Sequence, residues 1–349
     1  MAKTQQPQAS PSQVYFVQFT HPGAEHVLSK TAIANGVTTY PWNYKNHKRK
    51  FLETRAQYVD NNNNLQNGEI LFWGEWEPDS IVREIIPAPN QGNDLPHNIH
   101  NPLYITDKNN IPLAPQTIRN RKTGKYLLRQ NTDPFVFGDC FYYSLCKQSR
   151  FVKLRYLTPG SIILFGSTIN QNTPNAYFAL DTVFVVGDST TYSPNTYMTD
   201  LQGFVSNYYT NIMGMDLWSK YFKNNNIVGN SCSIKPSKNG CVSQMKYTCY
   251  KGATYSNPIN NMYSFVPCVL SANNPQGFER IKLTANDFNN IGLPMPGIHI
   301  FTNNLNSAPK ISIVSIKDNK KIWDKIRTIV HSKGCFEGVK MDYRHIIVP

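Results

Sequence analysis

The sequence predicts an α+β fold, with a mostly antiparallel, small-barrel-like amino-terminal half and a mixed α+β carboxy-terminal half. Short apolar runs bounded by Gly and Pro recur through the first 190 residues, which is typical of strands. A helical pattern appears near the carboxy terminus, at residues 320–331. With 349 residues, 40% of them hydrophobic, the chain is long enough to bury a large core. A composition shift predicts a flexible leader at 1–12, one domain at 13–190 and a second at 191–349.

The first element of interest is a strand at residues 68–78 that ends in carboxylates. Its apolar residues 70–73 are too few for a typical helix. A regular strand places Trp73, Glu75 and Glu77 on one face, with the carboxylate stems about 6.6 Å apart. We therefore expect Glu75 and Glu77 to act as a catalytic pair beside Trp73, a base-binding residue. The alternative is two solvated glutamates on an edge strand.

A strand is predicted at residues 14–20, and a polar turn follows it. His21, Glu25 and His26 follow it closely and could hold a metal or a phosphate. No third matched ligand accompanies them, so a plain turn is the alternative, and we expect no metal and no cofactor.

Residues 40–51 interleave cations and aromatics, a pattern typical of nucleic-acid binding. Their aromatic rings could stack on bases and their amides could read a base edge, while the cations could meet phosphates. The alternative is a solvated basic face over a core. The predicted base-binding residues here are Trp42, Asn43 and Tyr44, and the predicted phosphate-binding residues are Lys45, Lys48, Arg49 and Lys50.

The segment at residues 87–134 is rich in Pro, Asn and basic side chains, and it predicts a long irregular connection. Arg119, Arg121 and Lys122 lie close together in it and are predicted phosphate-binding residues. The segment is predicted either to clamp nucleic acid or to be a mobile loop.

Two more carboxylates lie among apolar residues. Asp139 falls in the aromatic cluster at residues 133–143, where Phe137 is a predicted base-binding residue; plain core is the alternative. Asp181 lies inside an apolar strand at residues 177–186, so it must be paired or titrate abnormally. Asp139 and Asp181 complete the predicted catalytic set.

A faint repeat links residues 68–74 with residues 160–166, each a Gly-led apolar run ending in an aromatic residue and Gly. This pattern resembles the small β-barrels of the PUA-like group, which includes the EVE and ASCH relatives. The resemblance covers residues 14–190 and implies a barrel strand that crosses beside a pocket for a base.

Composition indicates a polyanionic partner. The chain has 35 basic and 22 acidic residues and a net charge of +13, which favours nucleic acid, DNA before RNA. No apolar stretch approaches the roughly 20 residues of a spanning helix. Seven cysteines, an odd number, predict reduced thiols. We therefore expect a cytoplasmic protein with no membrane partner.

Three functions remain after this reading. The first is a DNA glycosylase-like hydrolase that takes in an extruded base, including a modified one, and cleaves its bond to the sugar. The second is a non-catalytic reader of modified bases in a restriction or antiviral defence system. The third is a structural or partner-binding protein whose basic face only keeps it in solution.

Overall fold

The computed structural model describes most of the strands and one long helix. The described residues are 13–21, 25, 32–34, 37–40, 49–76, 80–86, 95–106, 118–119, 126–127, 133–170, 173–194, 196–206, 209, 246–273, 277–289, 291, 308–342 and 344–347. The predicted leader at 1–12 lies outside them, and so does nearly all of residues 208–222, whose apolar spacing predicts a helix.

Strands dominate the described chain. In chain order they are β1 (Gln13–Thr20), β2 (Ala32–Ala34), β3 (Val37–Tyr40), β4 (Lys50–Val59), β5 (Leu65–Gly74), β6 (Ser80–Ile85), β7 (Asn98–Thr106), β8 (Ile118–Arg119), β9 (Tyr126–Leu127), β10 (Tyr142–Tyr143), β11 (Ile162–Ile169), β12 (Tyr177–Tyr192), β13 (Tyr247–Gly252), β14 (Val266–Leu270), β15 (Ile281–Leu283), β16 (Lys310–Ser315), β17 (Phe336–Met341) and β18 (Arg344–Ile347). The α-helices are α1 (Tyr197–Asp200) and α2 (Ile316–Ser332), and short 3-10 helices cover Val152–Arg155, Ser271–Asn273 and Ala285–Phe288.

One sheet is mixed. Its strands run in the order β10, β13, β12, β11, β1 and β16, and β15 pairs with β12. β1 is parallel to β11 and antiparallel to β16, so it lies between a strand of the first half and one of the second. The carboxyl ends of β1 and β11 therefore meet at the same edge.

The second sheet contains a small closed barrel. β4 pairs with β5, β5 with β14, β14 with β17, and β17 with β4, all antiparallel. The predicted α+β fold with a small antiparallel barrel is confirmed. β4 and β5 form one half of the barrel. The other two strands, β14 and β17, lie after residue 265 in the chain. Domain bounds at residue 190 stay a prediction.

Alternation along β5 separates its aromatic side chains into two cores. Phe72 and Trp76 belong to one buried cluster with Phe137, whereas Trp73 belongs to the other with Phe51. Successive strand residues point to opposite faces. Trp73 therefore lies on the opposite face from Phe72 and Trp76.

Helix α2 closes one of these cores. Its amino end is capped by Ser315, whose Oγ accepts a hydrogen bond from the backbone N–H of Asp318 at 3.1 Å. Ile322, Trp323 and Ile326 are buried on one face, as the helical spacing predicts. The helix begins four residues before the predicted start because of this cap.

β6 pairs with β3 and β7. One prediction about the chain after β5 is wrong. Strand β7 lies inside the connection that was expected to be irregular, and it adds in parallel to β4. None of the described helices is long and apolar enough to cross a membrane.

Candidate functional site

Two of the predicted catalytic carboxylates meet at one buried arginine. Arg49 Nη1 donates to Glu75 Oε2 at 2.8 Å, and Arg49 Nε lies 2.5 Å from Asp181 Oδ2. His21 Nδ1 lies 2.6 Å from the same Glu75 oxygen. All four side chains are buried. We call His21, Arg49, Glu75 and Asp181 the charged cluster.

Strand register explains why Arg49 and Glu75 meet. β4 and β5 are antiparallel with Lys50 opposite Gly74, so the next residue of each strand, Arg49 and Glu75, are opposite each other. His21 directly follows β1, where its backbone N–H donates to the carbonyl of Gly166 at 2.7 Å. The parallel pairing of β1 with β11 thus fixes the histidine at the edge of the mixed sheet.

A β-bulge turns Asp181 toward the cluster. β12 pairs Thr182 with Phe165 and Leu180 with Gly166, so Asp181 is the extra residue between two consecutive partners. Bulges re-aim a side chain in this way and are common beside active sites. Gly166 is required here, since a Cβ on it would lie 2.2 Å from the carbonyl oxygen of Ala179.

A second arginine joins Asp181 from the neighbouring strand. Arg280 directly precedes β15, and its Nη1 lies 3.5 Å from Asp181 Oδ1 and donates to Ser167 Oγ at 3.0 Å. Its guanidinium also lies over the ring of Trp73, 5.3 Å from the centroid. Asp181 is therefore paired with two cations, as an acid in an apolar strand requires.

Burial and charge set the protonation of the cluster. Desolvation lowers the pKa of His21 from 6.5 to about 4, although Glu75 opposes this shift. His21 is therefore neutral at pH 7. Burial alone would lower the pKa of Arg49, but Asp181 and Glu75 together raise it. Arg49 thus stays charged between the two carboxylates.

Two nitrogens of Arg49 make no hydrogen bond of good geometry to the described residues, and of these Nε still has the ion pair with Asp181 at 2.5 Å. Nη2 is buried with no partner there, while the other terminal nitrogen contacts Glu75. A buried guanidinium N–H without an acceptor is costly, which makes this atom the natural contact for a ligand oxygen.

Sequence reasoning missed a cysteine at the edge of the cluster. Cys146 Sγ lies 3.3 Å from His21 Nε2, on the opposite side of the ring from Glu75. Only 9% of Cys146 is exposed. The two residues are 125 positions apart, and no motif surrounds either, so no sequence signal links them.

Asp133 holds the backbone that carries Cys146. Its buried carboxylate accepts the backbone N–H groups of Ser144, Leu145 and Cys146, at 3.2, 2.7 and 2.8 Å. Tyr209 also donates its hydroxyl to it at 3.1 Å. The loop before Cys146 is therefore fixed from within the core.

His21 and Glu25, which could have held a metal or a phosphate together, have separate partners. His21 contacts Glu75, while Glu25 accepts from the ring and the backbone of His97, at 2.7 and 2.8 Å. The alternative of satisfied side chains therefore describes these two residues, because His21 is buried in the core and Glu25 contacts the segment before β7.

Four other site residues have different surroundings from those predicted. Arg49 and Lys50 are buried, so they present no charge to a phosphate backbone at the surface. Phe137 is buried against the ring of Trp76, at a centroid distance of 4.7 Å, and is core rather than a pocket wall. Asp139 is 87% exposed and pairs with Lys340 at 2.6 Å, so its carboxylate faces solvent.

Trp73 also differs from the prediction of a stacking platform for a base. It is buried, its Nε1 donates to the carbonyl of Phe278 at 2.9 Å, and its ring contacts Phe51 and Arg280. In the described structure Trp73 packs beside Arg280, the second arginine that pairs with Asp181.

The remaining predicted site residues cannot be placed. Arg119 is described only as backbone in β8. Outside the described residues lie Trp42, Asn43, Tyr44, Lys45, Lys48, Glu77, Arg121 and Lys122.

A surface groove of about 500 Å³ lies on the barrel, but it is lined by the start of β5 rather than the Glu75 end. Its walls carry both signs of charge, including Arg55, Glu69, Lys340 and Asp342. Within the described part of the chain, no three His, Cys, Asp or Glu side chains are grouped as metal ligands.

Comparison with known proteins gives no relative. No family model, no curated protein and no solved structure matches the chain. The charged cluster is therefore interpreted from its own geometry.

Proposed function

We propose that the protein binds nucleic acid, DNA in preference to RNA, takes an extruded base into the charged cluster and hydrolyses its bond to the sugar. The observation that carries the proposal is the buried Nη2 of Arg49, which has no acceptor among the described residues. Arginine donors are the commonest readers of base acceptors, since a base carbonyl or ring nitrogen satisfies such an N–H.

Charge supports the choice of partner. A net charge of +13 attracts a polyanion and speeds its association. Chemistry on a base requires that the base leave the stack and enter a pocket away from water. The burial of Arg49, Glu75 and Asp181 agrees with a site of that kind.

The carboxylates of the charged cluster supply the negative charge that stabilises the transition state of the proposed reaction. Cleavage of a base–sugar bond passes through an oxocarbenium-like state, which a nearby carboxylate stabilises. Water adds to the sugar carbon, and the departing base takes up a proton. Asp181, aimed by its bulge, is the carboxylate we assign to this role.

The proposal is tested with DNA duplexes and single strands that carry natural and modified bases. Alkali breaks the strand at each abasic site, and the fragments are resolved on a gel. We expect breaks with the native protein and a loss of about 100-fold or more in Asp181→Asn. Asp324→Asn, an exposed acid on α2, serves as the matched control and keeps full activity. No breaks across a broad panel would refute the hydrolase.

A second candidate is a reader of modified bases, of use in restriction or antiviral defence. It is favoured by the pairing of both carboxylates with arginines, because Glu75 contacts Arg49 and Asp181 contacts Arg49 and Arg280. Carboxylates so neutralised are weak bases. A reader gives tight, base-dependent binding with no strand breaks.

Salt separates both candidates from a structural or partner-binding role. Binding driven by phosphates must weaken steeply with added salt, and log K falls linearly with log salt concentration. If the protein does not bind DNA even at low salt, only the structural or partner-binding role remains. We place the protein in the cytoplasm as part of this proposal, in agreement with the five described cysteines being thiols.

A further inference from the structure

A line of hydrogen-bonded groups connects a thiol, an imidazole and a carboxylate. Cys146 Sγ lies 3.3 Å from His21 Nε2, and His21 Nδ1 lies 2.6 Å from Glu75 Oε2. The three residues come from separate parts of the chain, so folding brings them together. A nucleophile, a base within reach of it and a third group that orients the base are the parts of an activated nucleophile.

The carboxylate fixes which nitrogen of His21 carries the proton. Glu75 Oε2 also accepts from Arg49 Nη1 at 2.8 Å, so this oxygen acts as an acceptor and His21 Nδ1 as the donor. Nε2 then has a lone pair directed at the thiol. The ring is neutral at pH 7, because burial lowers the pKa of His21 to about 4, so Nε2 is the acceptor toward the thiol and not a second donor.

Two cations lie near the thiol and its histidine. Lys147 and Arg49 are the cations that act on His21, and Lys147 also acts on Cys146, while Glu75 is the acid that contacts the ring. The carboxylate of Asp133 contacts the backbone N–H of Cys146, and the hydroxyl of Tyr143 donates to its carbonyl. A cysteine beside cations and a histidine is the reactive type.

Other cysteines in the core lack this arrangement. Burial raises the pKa of the Cys249 and Cys268 thiols well above 9, and that of Cys335 to about 12. It also raises the pKa of Cys140, which is 4% exposed against 9% for Cys146. Cys140 is therefore a control of similar accessibility within the same molecule.

We propose that Cys146 is the nucleophile of an acyl-transfer site, with His21 as its base and Glu75 as the positioning residue. The thiol proton passes to His21 Nε2 as sulfur forms a bond to the carbonyl carbon of an ester, thioester or amide. The leaving group departs with that proton, which leaves a thioester on Cys146. Water then cleaves the thioester, His21 takes the water proton, and that proton returns to sulfur. This inference goes beyond the proposed nucleic-acid function and does not require it.

The first test measures the alkylation rate of each cysteine by iodoacetamide from pH 5 to pH 10, with peptides resolved by mass spectrometry. Resolution by peptide keeps Cys146 separate from Cys232 and Cys241, which lie outside the described residues. At pH 7 we expect Cys146 to react about 10-fold or more faster than Cys140. His21→Asn should lower the Cys146 rate by about 10-fold or more at pH 7 and move its rise to higher pH. Equal rates for the two cysteines, or an unchanged profile in His21→Asn, would overturn the proposal.

Glu75→Gln provides the test of the positioning role. It should shift the pH profile of Cys146 in the same direction as His21→Asn, because the ring loses the carboxylate that sets its tautomer. A Cys146 profile identical to that of the native protein would remove Glu75 from the site.

A second readout requires neither His21→Asn nor Glu75→Gln, in case either variant fails to fold. p-Nitrophenyl acetate carries an activated acyl group, and we expect an acetyl thioester on Cys146 with release of nitrophenol. Cys146→Ser should abolish this adduct, whereas Cys140→Ser should keep it. Acetylation of Cys140 in preference to Cys146, or none on Cys146, contradicts the proposal. Neither readout uses nucleic acid, so its failure is distinct from the failure of the base-hydrolysis assay.

Discussion

Protonation of His21 should control the acid stability of the protein. The folded state lowers its pKa from 6.5 to about 4, chiefly by burial. Between these values the unfolded chain binds the proton and the folded chain does not, so stability falls as pH drops from 6.5 toward 4. Below pH 4 both states are protonated and no further loss comes from this residue.

The loss of stability follows from the difference between the two pKa values of His21, 6.5 in the unfolded chain and about 4 in the folded chain. At about 1.4 kcal/mol per pH unit, full protonation costs about 3 kcal/mol. Between pH 7.5 and pH 5 the loss from His21 alone is about 2 kcal/mol. A domain typically has about 5–15 kcal/mol of stability, so this loss is easily measured.

The assay is urea denaturation at several pH values between 7.5 and 4.5, with His21→Asn as the test variant. Asn can still donate to Glu75 but does not titrate. We expect the free energy of unfolding to fall by about 2 kcal/mol more in the native protein than in His21→Asn between pH 7.5 and pH 5. His97→Asn is the control for the substitution itself, since His97 also contacts a glutamate but is 52% exposed. Parallel slopes for the native protein and His21→Asn would refute the reasoning.

Two further substitutions test the geometry of the cluster by their effect on the free energy of unfolding. Arg49→Met leaves buried carboxylates without their shared cation and should cost about 3–5 kcal/mol, whereas Arg55→Met, at an 81% exposed pair, should change stability by less than about 0.5 kcal/mol. A small effect at Arg49 would contradict its burial between two acids. Gly166→Ala places a Cβ 2.2 Å from the carbonyl oxygen of Ala179 and should cost about 1–3 kcal/mol. Gly68→Ala is its control, because the Cβ there would meet only side-chain atoms, of Leu270 at 3.2 Å and of Tyr58 at 3.4 Å, and similar costs for both glycines would argue against the bulge.

Strand composition predicted the buried positions of Asp181 and Glu75, but not the exposed position of Asp139. Asp181 lies among apolar, β-branched residues, so a buried strand and a paired carboxylate follow directly, and both are confirmed. Glu75 directly follows the apolar end of β5, so it lies next to the buried part of that strand. Local sequence carries this information because alternation and burial depend on adjacent residues.

The partners of those carboxylates could not be predicted. Arg49 lies in a run of basic residues that is typical of a solvated face, and only the pairing of β4 with β5 buries it opposite Glu75. His21 meets Glu75 and Cys146 across 54 and 125 positions. Contacts at such separations are set by sheet topology, which single-residue patterns do not encode.

The site described here depends on Arg49 and Glu75 being direct partners in one buried cluster, and a double-mutant cycle measures this contact most directly. The free energies of unfolding of Arg49→Met, Glu75→Gln and the double variant are compared with that of the native protein at pH 7.5. At the 2.8 Å separation of Nη1 and Oε2, we expect a coupling energy of about 1–3 kcal/mol. Additive effects, with a coupling energy below about 0.5 kcal/mol, would contradict the cluster.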